Sequence, residues 1–189
     1  MKKQSTFLYV LRLAVTLLLI TAITAGALAW INSITEERIA AEKAKKTAQA
    51  LSAVLPDADT AAELEEFPND SGIITTVYAS DSGYAVQVAP AGFGGTISMM
   101  VGVDKEGNIL GVSVVSHTET AGLGAVAGDK TSKGEAFRSQ YEGLSGELAV
   151  TKDGGTINAI SGATITSRAV TEGVNAATAC AAKLAANQG

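Results

Sequence analysis

The chain is poor in the residue types on which most metal and nucleophilic chemistry depends. Its 189 residues include a single cysteine, Cys180, and a single histidine, His117. One cysteine excludes an intrachain disulfide, a CxxC motif and any cysteine-built zinc or iron–sulfur site, and one histidine excludes a multi-histidine metal site. A triad through His117 stays formally open, but no GxSxG nucleophile elbow accompanies it. Aromatic residues make up 5% and prolines number three, against 20 glycines. A small, glycine-punctuated fold with an alanine-rich helical part follows. Basic clusters are missing as well. The first 31 residues hold Lys2, Lys3 and Arg12 and no acid; removing these three from the 14 basic residues leaves 11 against 19 acidic ones, a net charge of −8. So acidic a body is unsuited to nucleic acid, whose phosphates need clustered Lys and Arg. The acidic stretch "DADTAAELEEF" is no EF-hand: Ala62 stands where that loop needs glycine and Pro68 where it needs glutamate.

What the chain does have, first, is a long apolar run. Ala14 to Ile31 carries no charge, and roughly 20 mostly apolar residues suffice to cross a bilayer. Residues 8–13 extend the run, with Arg12 snorkelling to the headgroups and Trp30 at interfacial depth. "ALA" at Ala27 to Ala29 is also a cleavage-like pattern of a signal peptide. The length of the run and its direct passage into a helical segment favour an uncleaved anchor. Arg38, Lys43, Lys45 and Lys46 follow the span and weaken the charge asymmetry. The short basic start ahead of an early apolar run still reads as a signal anchor, with the N-terminus cytoplasmic and the domain outside.

Residues 32–55 are rich in helix formers, with only a thin apolar stripe of Ile34, Ala41, Leu51 and Leu55, and read as a membrane-proximal helix ended by Pro56. Residues 56–71 read as a linker or loop. From Gly72 the pattern alternates: "GIITTVYAS", "GYAVQVAP", "GTISMMVGVD" and "NILGVSVVS" predict four strands, paired antiparallel through the turns "SDSG" and "DKEGN". "GFGG", residues 92–95, precedes a strand instead of opening a helix; a dinucleotide loop is excluded, and the backbone there must turn tightly or pass close to something. "SHTETAGLGAV" is a loop in which Gly122 and Gly124 let the main chain approach a ligand or strand. "SKGEAFRSQY" predicts a short helix, and "ELAVT" with "GTINAI" another hairpin. Val170, Val174, Ala177, Ala181 and Leu184 form one face of a terminal helix packed on the sheet, with Cys180 beside it. The fold class is α+β: an N-terminal transmembrane helix (1–31), a membrane-proximal helix and linker (32–71), and a mainly antiparallel sheet packed against a C-terminal helix (72–189).

"SGATITSRAV", from Ser161 to Val170, crowds hydroxyls around Gly162 at the start of that last helix. The first amides of a helix lack intrahelical acceptors and its dipole favours negative charge, so the place suits a phosphate. A threonine hydroxyl there is well placed for a phosphate ester. Serine and threonine are also common caps. From physical chemistry alone capping comes ahead of a covalent phosphate, and nothing chooses between Thr164 and Thr166 as the bearing residue.

The same stretch resembles the flavinylation motif of covalent-FMN proteins, in which the threonine closing S/T-G-A-T carries FMN through a phosphoester. "GFGG", "MVGVDKEGNILGV" and "SHTETAGLG" resemble further landmarks of that family, in the same order. The likeness covers roughly residues 72–186 and points to the G subunits of Rnf-type membrane complexes, the ion-translocating ferredoxin:NAD oxidoreductases. Two positions depart from the family's usual pattern: Asn158 stands in place of aspartate and Ala121 in place of proline.

The resemblance implies an electron carrier with one covalent FMN per chain, on Thr164. It implies that Ser161, Gly162 and Ala163 shape the turn and that Thr166 and Ser167 are candidate phosphate or cap donors. The loop carrying His117, Glu119, Thr120, Gly122 and Leu123 is expected to border the flavin. It further implies a bacterial plasma-membrane location, other subunits of the complex as partners, and a flavin transferase for maturation. The alternatives are a stand-alone anchored extracytoplasmic flavoprotein, the usually longer C subunit of the sodium-translocating NADH:quinone reductase, and a non-redox assembly or sensor protein.

Overall fold

The computed structural model describes residues 3–188; Lys2 and the side chain of Lys3, part of the basic start, lie outside the described residues. The chain separates into two compact units, residues 1–45 and 46–189.

The first unit is the greater part of helix α1 (Lys3–Val54), which is long and apolar enough to cross a membrane and whose last residues, from Lys46, belong to the second unit. Its large apolar side chains, from Phe7 through Leu17 and Ile23 to Trp30, are exposed. A helix of a soluble core would hide that face; a lipid-facing one does not. Its threonines are already satisfied. Thr16 donates to the Arg12 carbonyl at 2.7 Å, Thr21 to Leu17 at 3.0 Å and Thr24 to Ile20 at 2.9 Å. No hydroxyl of these three is left to hydrocarbon unpaired.

The second unit holds a five-stranded antiparallel meander in the order β1 (Ala62–Glu63), β2 (Ile74–Ala79), β3 (Gly83–Val88), β4 (Ser98–Asp104) and β5 (Ile109–Ser116). Its register aligns valines across the sheet: Val77 faces Val86, Val86 faces Val101, and Val101 faces Val112. With side chains alternating between faces, this row and the parallel ones through Val88 and Val103 cover one side. Helix α3 (Thr164–Gln188) packs there through Val170, Val174, Ala177, Ala181 and Leu184, the five positions the periodicity predicts. Cys180 is buried in the same cluster, and burial pushes its thiol up to about 11. The opposite face carries Ala85 and Met100, against which Ala50, Val54 and Leu55 pack. Short helix α2 (Ser132–Arg138) brings Phe137 into the main core, edge-on to Tyr141 with ring centroids 5.7 Å apart.

One local expectation is refined and one corrected. Residues 56–71, read as a linker or loop, are largely loop with more local order than that reading specified. They contain a 3-10 turn (Ala58–Thr60) and the two-residue strand β1, with Asp57 bonded to Ser82 and Asn69 bridging both backbone groups of Ile74. Residues 149–160 form no hairpin. Thr151–Asp153 is a 3-10 turn closed by Gly154, and Val150 and Ile157 meet in a single parallel bridge. The Thr151 amide donates to the Ile157 carbonyl and the Ile157 amide to that of Ala149, a staggered parallel pattern. The run is too sparsely apolar for a ladder: within 149–160 only Val150 and Ile157 are buried. The segment before α3 is therefore loop, not strand.

Candidate functional site at the start of the last helix

The chain enters α3 through a tight turn. Gly162 adopts φ +77°, a left-handed conformation unfavourable for side-chain-bearing residues. It is followed by Ala163, the residue immediately before the helix, which has no side-chain acceptor for the helix amides. Among the described residues, the amides of Thr164, Ile165 and Thr166 donate to no protein acceptor; the first bonded amide of the turn is that of Ser167, to Ala163 at 3.0 Å. The hydroxyls nearby do not cap them. Ser167, fully buried, donates to the Ala163 carbonyl at 3.0 Å and accepts from the Ile160 amide at 2.9 Å. Thr166, also fully buried, donates to Glu119 Oε2 at 2.6 Å. Of the three helix hydroxyls, Thr164's alone belongs to a residue that is not buried, and it accepts from Lys152 Nζ at 2.9 Å; Ser161, ahead of the turn, is exposed as well.

Three stretches far apart in sequence converge here. Glu119, 9% exposed, accepts from the Gly94 amide at 2.9 Å with one oxygen and from Thr166 with the other. Thr118 donates to the Gly94 carbonyl at 2.9 Å. Gly124 fits because it lacks a side chain: a Cβ there would lie 2.2 Å from Glu119 Oε2 and 2.5 Å from Thr166 Oγ1. The loop of residues 92–95 thus passes close to Glu119 and Thr118. Around this knot lies a cavity of about 390 Å³, lined by Phe93, Glu119, Thr120, Leu123, Gly124, Lys152 and residues 162–166. Among the described residues beyond α1, four large apolar side chains are exposed, and three of them, Phe93, Leu123 and Ile165, stand on its walls.

Of the residues expected at the site, Gly162, Ala163, Thr164, Thr166, Glu119, Thr120 and Leu123 line this cavity. Ser161 and Gly122 instead line a neighbouring depression with Asn158. Ser167 is turned to the backbone, and His117 packs against Gly128, its Nδ1 accepting from the Glu119 amide at 3.3 Å. Lys152, Phe93 and Ile165 are members that the sequence pattern does not single out. Phe93 lies inside the conspicuous "GFGG" stretch; nothing near Lys152 in sequence points to a threonine twelve residues on.

The donor set fits a phosphorylated heteroaromatic ligand. A lysine, a helix start whose first amides are unpaired and the helix dipole suit an anion, while the apolar walls suit a flat ring. Comparison with known proteins agrees. The family model of the FMN-binding domain matches residues 92–179, and that of the RnfG N-terminal region matches residues 1–54. The class is thus an FMN-binding domain behind an apolar helix that can anchor it in a membrane.

The G subunit of the Na(+)-translocating ferredoxin:NAD(+) oxidoreductase complex from Acetobacterium woodii is 32% identical over 191 residues, covering 92% of each chain. The G subunit of the ion-translocating oxidoreductase complex from Stutzerimonas stutzeri is 36% identical over 180 residues, or 85% of this chain and 76% of its own length. The counterpart from the proton-translocating ferredoxin:NAD(+) oxidoreductase complex of Clostridium ljungdahlii is 40% identical over 109 residues, covering 53% and 56% of the two chains. The chain belongs to the family of G subunits of ion-translocating oxidoreductase complexes.

Proposed function

We propose that this chain is the electron-carrying G subunit of a membrane-bound ion-translocating ferredoxin:NAD oxidoreductase, and that its carrier is one FMN esterified to Thr164. The observation that carries the reading is the hydroxyl of Thr164: it faces the cavity, caps nothing, and lies 2.9 Å from a lysine ammonium at an uncapped helix start.

FMN, when bound, supplies one- and two-electron redox chemistry. The chain's own residues supply placement. The open amides of residues 164–166 and Lys152 favour the phosphate's negative charge, and Phe93, Leu123 and Ile165 offer apolar surface that excludes water from a ring. Glu119 holds the loops of residues 92–95 and 117–124 against α3, so the walls keep their spacing. No general acid or base is required of these residues. A phosphoester suits a carrier on the outer side of the membrane, where a freely dissociating cofactor would be lost. In this reading the N-terminus is cytoplasmic, α1 is a single-pass anchor in membrane lipid, and the domain lies outside. The other subunits of the complex are its partners, and a flavin transferase makes the ester.

The test is flavin fluorescence in a denaturing gel of full-length chain made together with a flavin transferase. The expected result is one fluorescent band, lost in Thr164→Ala and retained in Thr166→Ala. The reverse pattern would move the attachment point, and a dark wild-type band would remove the redox reading.

A further inference from the structure

We infer, resting on the reading of Thr164 as the attachment point, that Lys152 is a positioning residue for that threonine and for the phosphate placed on it, and that the Asp153–Arg168 pair sets its aim. Lys152 and Asp153 are neighbours in the 3-10 turn Thr151–Asp153. The turn is anchored by buried Val150 and by the bonds Thr151 N–H to Ile157 O at 2.8 Å and Gly155 N–H to Val150 O at 3.1 Å. Thr164 and Arg168 are four residues apart and share a face of α3. The two adjacent turn residues thus clasp two same-face helix residues. Lys152 reaches Thr164 Oγ1 at 2.9 Å, while Arg168 grips Asp153 with a two-pronged fork, Nε to Oδ2 at 2.7 Å and Nη2 to Oδ1 at 2.6 Å.

The fork does more than staple. Asp153 is the carboxylate next to Lys152 in the chain and would otherwise be its natural partner. With both oxygens engaged by Arg168, the Asp153 carboxyl is held below its usual range. Lys152 forms no ion pair among the described residues. Its ammonium is left for the hydroxyl and for an anion joined to it. When Thr164 is esterified by a donor carrying FMN on a phosphoanhydride, the threonine O–H bond breaks and an O–P bond forms. The anhydride P–O bond breaks, the nucleoside monophosphate departs with its electron pair, and the hydroxyl proton goes to solvent. No electrons are transferred between redox centres. Lys152 holds the attacking oxygen in place before this step and donates to the phosphoryl oxygens after it.

The experiment follows adduct mass with time in the full-length detergent-solubilised apo chain, incubated with a flavin transferase and flavin dinucleotide. Lys152→Met is expected to slow incorporation about tenfold or more, the weight of one charge-assisted bond, and Lys152→Arg to restore most of it. Arg168→Met frees Asp153 to capture Lys152 and slows incorporation several-fold; adding Asp153→Asn to it recovers part of the rate. A purely structural clasp predicts no such recovery. Thermal melting of each apo variant, expected within a few degrees of wild type, reads folding separately. A wild-type chain that takes up no FMN overturns the Thr164 reading itself. Wild-type uptake matched by Lys152→Met, or an Arg168→Met defect that Asp153→Asn deepens, overturns the role of Lys152 and its partner pair alone.

Discussion

Helices α2 and α3 both begin beside a threonine, and the two beginnings are built in opposite ways. At α2, Thr131 precedes the helix with extended backbone, and its hydroxyl accepts from the Gly134 amide. That is a cap. At α3 the preceding residue is Ala163, three amides stay open, and the threonine is the first helical residue with its hydroxyl turned to a cavity. The same side chain closes one helix and leaves the other uncapped. Hydroxyl-rich stretches are therefore to be judged by which atoms they satisfy. By that measure Ser167 and Thr166 serve the fold and Thr164 does not.

The contrast can be broken in several places, and the largest effect is expected at Thr164. Thr164→Ala should lose the whole adduct, read by intact mass, while the melting temperature of the apo chain stays within a few degrees. Next comes Glu119→Ala, which strands the Gly94 amide and the buried Thr166 hydroxyl. A destabilisation of about 2 kcal/mol or more is expected in denaturant unfolding of the second unit, with reduced flavin uptake. Giving α3 the cap it lacks sharpens the comparison: Ala163→Ser should stabilise the apo chain by about 1 kcal/mol and slow flavin incorporation by competing for the open amides. Thr131→Ala removes the cap that α2 does have. It should cost about 0.5–1 kcal/mol and leave the adduct untouched.

Acid supplies a control remote from both helix starts. Ser82 holds the Asp57 carboxyl down to about 2 from an ordinary 3.8. A carboxylate with a depressed folded-state value contributes stability that is present above pH 3.8 and lost as pH falls toward 2. Asp57→Asn should flatten that part of the stability–pH curve, measured by urea unfolding, without changing flavin content.

How legible each part was in the sequence follows from the range of the forces involved. The four longer strands and α3 announced themselves because their apolar residues alternate or recur at helical steps, a local signal. Strand β1 has two residues, both exposed, and no periodicity can reveal it. The stretch around Val150 and Ile157 misled because its β-branched residues suggested a ladder, whereas one bridge and a 3-10 turn were enough to bury both side chains. The three motifs of the site were each visible, as "GFGG", "SHTETAGLG" and "SGATITSRAV". Their meeting on the two oxygens of Glu119 was not, since it depends on the sheet carrying residue 94 to residue 119 and residue 119 to residue 166. Lys152 was illegible for the same reason. Its partner is fixed by a turn and an ion pair, and neither leaves a spacing rule behind.

The most direct test is the mass of the polypeptide extracted from its native membranes, followed by fragmentation. The account predicts the amino-acid mass plus one esterified FMN, with the added mass confined to the fragment bearing Thr164. A chain that weighs only its amino acids, or an adduct on any other residue, would contradict it.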